Sequence, residues 1–126
     1  LQNTAIGRTS LDANTTGRDN TAVGYESQVN FTAGNQNTSL GYQSLVANST
    51  GANNTAVGYN CLSSNTTGAL NTGVGRECLI ENTTGDHNTA IGKDALSANT
   101  SVIVAADPSA SEYANAVPTP SPVISP

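Results

Sequence analysis

The sequence predicts an all-β fold, a β-solenoid of six coils, and three observations lead to this prediction. The block Asn-Thr-Ala-Val-Gly, with small changes, recurs every 17 residues without an insertion or a deletion. Strict repeats of this kind stack one unit on the next. Each copy is too short for a pair of helices, and the Asn, Thr and Gly that dominate it are poor helix formers. We therefore expect each copy to form one coil of a parallel solenoid, with neighbouring coils about 4.8 Å apart.

The opening asparagines of the six copies are expected to form a vertical ladder: Asn3, Asn20, Asn37, Asn54, Asn71 and Asn88. Thr follows in every copy. Stacking in register places equivalent residues above one another, so the Asn and Thr side chains can hydrogen-bond along the stack, as polar ladders do in cross-β assemblies. The pattern predicts a solenoid domain over residues 1–104. Residues 105–126 are expected to form an extended Pro- and Ser-rich tail or linker.

Glycine recurs at two positions of the repeat, the fifth in all six copies and a turn position in the first five. The glycine at the fifth position ends a short apolar block, where we expect the backbone to bend: Gly7, Gly24, Gly41, Gly58, Gly75 and Gly92. A later glycine closes an Asn-Thr-Thr-Gly turn, as in Asn65 to Gly68. Because glycine adopts positive φ without steric cost, a positive φ is predicted at this turn glycine as well.

Two apolar rows are expected to supply the core. The fourth position is always a branched aliphatic residue, and the ninth is Leu in every copy but the second, where Gln28 replaces it. Two large aliphatics per coil, at roughly 1.5–3 kcal/mol each, do not offset backbone ordering at about 1–2 kcal/mol per residue. Ladders of hydrogen bonds must supply much of the rest. Burial between subunits is also expected, so the sequence favours a homo-oligomer.

The sixth position carries large side chains that fall into one column: Arg8, Tyr25, Tyr42, Tyr59, Arg76 and Lys93. Three stacked Tyr rings flanked by cations would form a cation–π column. The alternative is a solvated stripe of amphipathic side chains. The sequence leaves both open.

Composition excludes several classes of function. The net charge is −5 and the basic residues are scattered singly, so no basic patch for nucleic acid is expected. No apolar run approaches the roughly 18–20 residues of a membrane span. The sequence opens on Leu1 and shows no signal peptide, which suggests a processed form or a fragment.

Catalytic chemistry is not expected. His87 is the sole histidine and stands beside Asp86 at a variable position of the repeat, without a catalytic or metal-binding constellation. We therefore predict no enzyme activity, no cofactor and no metal site. Cys61 and Cys78 occupy the eighth position of adjacent copies. A Cα separation of about 4.8 Å would suit a disulfide; the alternative is two small buried side chains in a row of serines and alanine.

Glycosylation is the modification that the sequence suggests. Acceptor triplets begin at turn residues expected on the outside of the solenoid, Asn14, Asn48, Asn65 and Asn82, and also at Asn30, Asn37, Asn53 and Asn99. Thr119 and Ser121, in a Pro-Thr-Pro-Ser-Pro stretch, are typical of O-glycosylated stalks. Alternatively, the turn chemistry of the repeat generates the triplet by itself.

The blocks at Asn3 to Gly7 and Asn88 to Gly92 resemble the head repeats of trimeric autotransporter adhesins. The full unit, through Asn65 to Gly68, also looks like repeats of bacterial surface proteins and phage tail fibres. This resemblance covers all six copies. It implies an extracellular, fibrous, often trimeric protein on a cell surface or a virion, with surface glycans or host-cell receptors as partners.

Three functions follow as hypotheses. The first is a structural subunit of an extracellular fibre that assembles head to tail. The first coil has no cap in the sequence, and the apolar stretch with Val102, Ile103 and Val104 could add to a neighbouring subunit as a strand. The second is a trimeric adhesin head or phage tail-fibre module. The third is an ice-binding solenoid, suggested by the Thr ladders, although the adjacent Thr66 and Thr67 are expected to point to opposite faces.

Overall fold

The computed structural model describes residues 2–100, which form a stack of short parallel strands. The strands are β1 (Thr4–Ile6), β2 (Thr21–Val23), β3 (Thr38–Leu40), β4 (Thr55–Val57), β5 (Thr72–Val74) and β6 (Thr89–Ile91). They pair in sequence order, and each residue pairs with the one 17 positions later, as Thr4 does with Thr21. The predicted all-β solenoid with in-register 17-residue coils is confirmed. Within residues 2–100 there is no helix.

Several sequence predictions concern residues beyond this range. The C-terminal tail, the assembly residues Val102, Ile103 and Val104, and the O-glycosylation candidates Thr119 and Ser121 all lie outside the described residues. They stay predictions.

The core is narrower than the sequence suggested. Successive side chains of a strand alternate in direction. The third position faces inward and holds Ala, Ser or Gly, while the second and fourth positions face outward. Ile6, at the fourth position, is 60% exposed and Ile91 is 53% exposed. The expectation that both aliphatic rows are buried is therefore wrong. Only the ninth-position row reaches the core, where Leu45, Leu62 and Leu79 are fully buried against Ala, Cys and each other.

The buried leucines adopt an uncommon backbone conformation. Leu45, Leu62 and Leu79 have φ of 52°, 53° and 51°. The left-handed conformation costs a residue with a side chain roughly 1–2 kcal/mol. It persists because the surrounding structure fixes it. The side chain is fully buried, the N–H of Leu62 donates to Cys78 in the next coil, and its carbonyl accepts from Asn65 in the same turn. The seventh and seventeenth positions, as at Asn60 and Asn53, are left-handed too. Each coil thus turns largely through residues other than glycine.

The fifth-position glycines bend as predicted. Gly58 has φ of 134°, and its equivalents lie between 123° and 141°. The prediction of positive φ at the turn glycines is wrong: within residues 2–100, the glycines with positive φ are those at the fifth position. Crowding explains the turn glycines instead. A Cβ at Gly68 would lie 2.5 Å from the carbonyl oxygen of Gly85 in the next coil, closer than any real Cβ contact.

Hydrogen bonds link each coil to both neighbours. In coil four, which begins at Asn54, the N–H of Gly58 donates to the carbonyl of Leu40 in the preceding coil (2.8 Å), and Thr55 N–H donates to Asn71 in the following one (2.8 Å). At the turn, the Thr66 hydroxyl donates to the backbone carbonyl of Thr83 at 3.0 Å. The turn threonines therefore bond from side chain to backbone.

Candidate functional site

The predicted asparagine ladder runs through the interior of the solenoid. Asn54 is fully buried. Its Oδ1 accepts both the backbone N–H (3.0 Å) and the Nδ2 (3.1 Å) of Asn71. Its own Nδ2 donates to Asn37 Oδ1 (3.1 Å) and to the carbonyl of Gly68 (2.8 Å). Asn20 and Asn37 make the same set of bonds, so the ladder is confirmed, with each of these amides donating to the preceding coil. At the last coil the backbone N–H of Asn88 still donates to Asn71 Oδ1, while its Nδ2 donates to Asn82 Oδ1 at 3.4 Å.

A second buried ladder lies at the turn asparagines. Nδ2 of Asn82 donates to Asn65 Oδ1 at 2.9 Å, and Nδ2 of Asn65 donates to Asn48 Oδ1 at 3.2 Å. The same amide groups also donate to the turn glycines three residues later. Phe31 takes this position in the second coil and is fully buried. The sequence pattern showed the repeating Asn but not that its side chain points inward.

This ladder corrects the glycosylation prediction. Asn48, Asn65 and Asn82 are fully buried, and Asn14 is partly buried. Their Nδ2 atoms, to which a glycan would be attached, donate hydrogen bonds inside the coils. The folded solenoid therefore cannot carry a glycan at the three buried positions. Their triplets follow from turn chemistry, while the exposed Asn30 and Asn53 remain candidates.

The two cysteines are free and buried, so the predicted disulfide is not formed in this structure. The thiol of Cys78 donates to the carbonyl of Ala90 at 3.0 Å. The pKa of the Cys61 thiol is raised, because the thiol hydrogen-bonds to Cys78 and is buried. Of the two alternatives left by the sequence, the structure shows the second, two small buried side chains.

The thiols should be unreactive in the folded protein. We expect an aromatic disulfide reagent to modify neither Cys61 nor Cys78 in native buffer and to modify both in denaturant, because both are fully buried. Thiol titration before and after unfolding measures this. A Thr67→Cys variant, with its thiol at an exposed turn position, is the positive control. Native modification of Cys61 as fast as that of the control, or absence of thiols after unfolding without reductant, would contradict the structure.

At two places, a residue that differs from the usual residue of the repeat contacts a second such residue in the next coil. Position three is Gly73 in coil five, and a Cβ there would lie 2.6 Å from Cys61 Sγ. The missing Cβ makes room for sulfur where other coils place Ser or Ala. In coil two, Gln28 replaces the buried Leu, and its Nε2 donates to the Ser39 hydroxyl at 2.7 Å. Ser39 stands where four of the other five coils have Ala. Each unusual residue thus has its partner in the next coil.

Three tyrosines form a continuous stack on the surface. We call Tyr25, Tyr42 and Tyr59 the tyrosine column. Neighbouring ring centroids are 5.2 Å apart, with interplanar angles of 11° and 9°. Arg8 lies over the Tyr25 ring at 5.9 Å and Arg76 over the Tyr59 ring at 5.6 Å. The cation–π column, one of two alternatives left by the sequence, is the one observed.

The outer face of the sheet carries a second regular array. Its second-position threonines and fourth-position aliphatics form two parallel outward rows. We call these two rows the outer sheet face. Exposed members of the aliphatic row are Ile6, Leu40, Val74 and Ile91. An exposed apolar row of this kind is typical of a site of association.

Asp86 and His87, the residues considered for catalysis, lie next to each other at the end of coil five. The Asp86 carboxylate accepts the backbone N–H of Ala69 at 2.6 Å, and His87 is exposed. Within residues 2–100, no group of three or more His, Cys, Asp or Glu lies where it could hold a metal ion. No helical segment of that range has the length and apolarity that crossing a bilayer requires.

In three comparisons with known proteins, no family model, no curated protein and no solved structure matches this chain.

Proposed function

We propose that the chain is a structural subunit of an extracellular fibre, in which the solenoid continues from one copy to the next. The observation that carries this proposal is the repetition of one directional set of bonds at every contact between coils. Gly24, Gly41, Gly58, Gly75 and Gly92 all donate to the preceding coil at 2.8 Å. A coil therefore has two different edges, and each edge is complementary to the other.

Among the described residues 2–100, the edge of coil one (which begins at Asn3) that faces away from coil two is not covered by another coil. All three residues of β1 are exposed, whereas the third-position residue is buried in every other strand. Ala5 is the exposed counterpart of the fully buried Ala22 and Ala56. A coil from another copy of the chain would cover this edge in the register that joins the coils within a chain. Such a head-to-tail contact builds an open filament when its rotation does not close a ring.

The outer sheet face supports lateral association of these filaments. Ile6, Leu40, Val74 and Ile91 present an aliphatic row along the length of the stack. Burial of this row between filaments would supply the apolar contribution that the narrow core lacks, at about 25 cal/mol per Å². The extracellular setting, on a cell surface or a virion, belongs to the proposal and derives from the resemblance of the repeats.

Electron microscopy of the purified chain tests the proposal. We expect residues 1–126 to form long uniform filaments as concentration rises, with a coil repeat of about 4.8 Å in fibre diffraction. Ala5→Arg places a charge on the open edge and should abolish filaments. Ala13→Arg, an identical change at an exposed turn position, is the matched control and should leave filaments intact. Discrete particles at every concentration, or filaments of normal length from Ala5→Arg, would contradict head-to-tail stacking.

A trimeric adhesin head or phage tail-fibre module is the second candidate. The observation that favours it is the outer sheet face, because three such faces could pack around a common axis and leave the solenoid edges free. Surface glycans or host-cell receptors would then be the ligands. Sedimentation equilibrium distinguishes the two candidates: a discrete trimer that is unaffected by Ala5→Arg favours the module.

One observation also supports the ice-binding alternative. The threonines on the outer sheet face stand in a single outward row beside the aliphatics, from Thr4 to Thr89. The adjacent Thr66 and Thr67, which argue against ice binding in the sequence, belong to the turn and not to this face. A freezing point depressed below the melting point by the purified chain, and not by a variant with Thr55→Lys, would favour ice binding.

A further inference from the structure

The tyrosine column combines three features that are uncommon together. The rings are nearly parallel, neighbouring rings are at one fixed separation of 5.2 Å, and each residue is between 37% and 45% exposed. The in-register stack sets this geometry, since each Tyr follows a bend glycine at the same position of its coil. Small oxidants in solution can therefore reach all three rings, while each ring already faces its neighbour.

We propose that the tyrosine column is a site of oxidative cross-linking, in which a dityrosine bond joins Tyr42 to Tyr25 or to Tyr59 and covalently ties neighbouring coils. The co-reactants are a haem peroxidase and hydrogen peroxide, which supply one-electron oxidation. This inference goes beyond the fibre proposal and does not depend on it, because the bond forms within one chain.

Each of two phenols loses one electron and its phenolic proton to give a phenoxyl radical. The two radicals combine through ring carbons ortho to the oxygens, and the ring hydrogens at those carbons then move to the oxygens and restore both phenols. The two electrons and two protons released reduce one hydrogen peroxide to two waters. The chain loses two hydrogen atoms for each bond formed.

Tyr25 has a proton acceptor in place for this oxidation. A hydrogen bond to the Glu26 carboxylate, together with its negative charge, raises the pKa of the Tyr25 phenol. The pKa of Glu26 is lowered, first by the hydrogen bond from Gln43 and then by that from Tyr25. Nε2 of Gln43 lies 2.6 Å from Glu26 Oε2. The carboxylate is thus held ionised beside the phenol, where it can receive the proton as the electron leaves.

The order of the stack fixes which pairs can couple. Tyr42 is next to both other members, whereas Tyr25 and Tyr59 lie in coils two repeats apart with the Tyr42 ring between them. The outer faces of Tyr25 and Tyr59 are covered by Arg8 and Arg76. An intramolecular bond within the column must therefore include Tyr42.

Three single substitutions test this connectivity with equal numbers of tyrosines. All are made in the full chain with Tyr113→Phe, which removes the remaining Tyr. Tyr25→Phe and Tyr59→Phe each leave an adjacent pair, while Tyr42→Phe leaves two tyrosines separated by one ring. Phe keeps the stack, and equal thermal unfolding of the three variants checks this. Peroxidase and hydrogen peroxide are added at low protein concentration, and the monomeric product is isolated.

The readouts are dityrosine fluorescence and intact mass of the monomeric product. We expect loss of two hydrogen atoms and strong fluorescence from the parent, Tyr25→Phe and Tyr59→Phe, with at least a tenfold lower yield from Tyr42→Phe. Cleavage after Glu26 separates Tyr25 from Tyr42, so a bond between them holds two peptides together in the Tyr59→Phe product. Equal yields from Tyr42→Phe and Tyr25→Phe, or dityrosine confined to dimers and larger products, would overturn the proposal.

Discussion

Replacement of Asn54 by Ala should destabilise the solenoid by about 4–6 kcal/mol or more. Asn54 makes four hydrogen bonds through its side chain. Its loss leaves the backbone N–H of Asn71 buried without its acceptor, at roughly 1–3 kcal/mol. The other bonds lost, at about 1 kcal/mol each, and the cavity add to this. Urea unfolding monitored by circular dichroism measures the difference in the free energy of unfolding between the variant and the parent.

Asn30→Ala is the matched control for this prediction. Asn30 is exposed at a turn, so the same substitution there should change the free energy of unfolding by no more than about 0.5 kcal/mol. Similar unfolding midpoints for Asn54→Ala and Asn30→Ala would mean that the ladder contributes little and that backbone hydrogen bonds hold the coils together unaided.

Replacement of Gly58 by Val should also be strongly destabilising, at roughly 2–6 kcal/mol. Gly58 has φ of 134°, where a β-branched residue is strained. A Cβ would also lie 2.7 Å from the carbonyl carbon of Gly75 and overlap the attached oxygen. Because those atoms belong to the backbone of the next coil, the two coils must separate to accept the side chain. We expect a large drop in melting temperature or failure to fold.

Thr55→Val serves as the control for Gly58→Val. It introduces the same side chain in the same coil, on the outward side of β4, where a β-branched residue is suited to a strand. Its melting temperature should match that of the parent. If Gly58→Val melts at the temperature of Thr55→Val, the close approach of the coils at the bend is not required for stability.

The sequence was sufficient for the architecture because the repeat itself encodes the contacts. An unbroken 17-residue period permits one register, and that register places Asn37, Asn54 and Asn71 in one ladder. The bend at Gly58 was also predictable, since only glycine occurs there. The tyrosine column followed from the same register, although the sequence could not distinguish stacking from a solvated stripe.

Other features depended on side-chain direction, which a period does not specify. Side chains alternate in direction along a three-residue strand, so either the third position or the second and fourth positions can face inward. The small third-position residues, such as Ala56, indicated which row faces inward. Hydrophobicity alone assigns the fourth-position aliphatics to the core, and the structure shows that they face outward. The left-handed leucines were unpredictable for a different reason: Leu45 carries no local signal for positive φ, and tertiary packing imposes it. Likewise, Asn65 has the residue types of a glycosylation site but the burial of a core residue.

Because the contacts between coils are uniform, the number of repeats in the gene can change during evolution without disrupting the fold. Tandem copies in a gene recombine with one another, and gain or loss of one whole unit preserves the reading frame and the register of every remaining coil. The length of the rod can therefore change by a coil at a time without redesign of the fold. Loss of a unit should be less well tolerated at two positions in the array. Loss of the unit that begins at Asn37 would set Gln28 against Ala56 in place of Ser39, and loss of the unit that begins at Asn71 would set Cys61 against Ala90 in place of Gly73. These paired residues would restrict viable recombination to the uniform parts of the array.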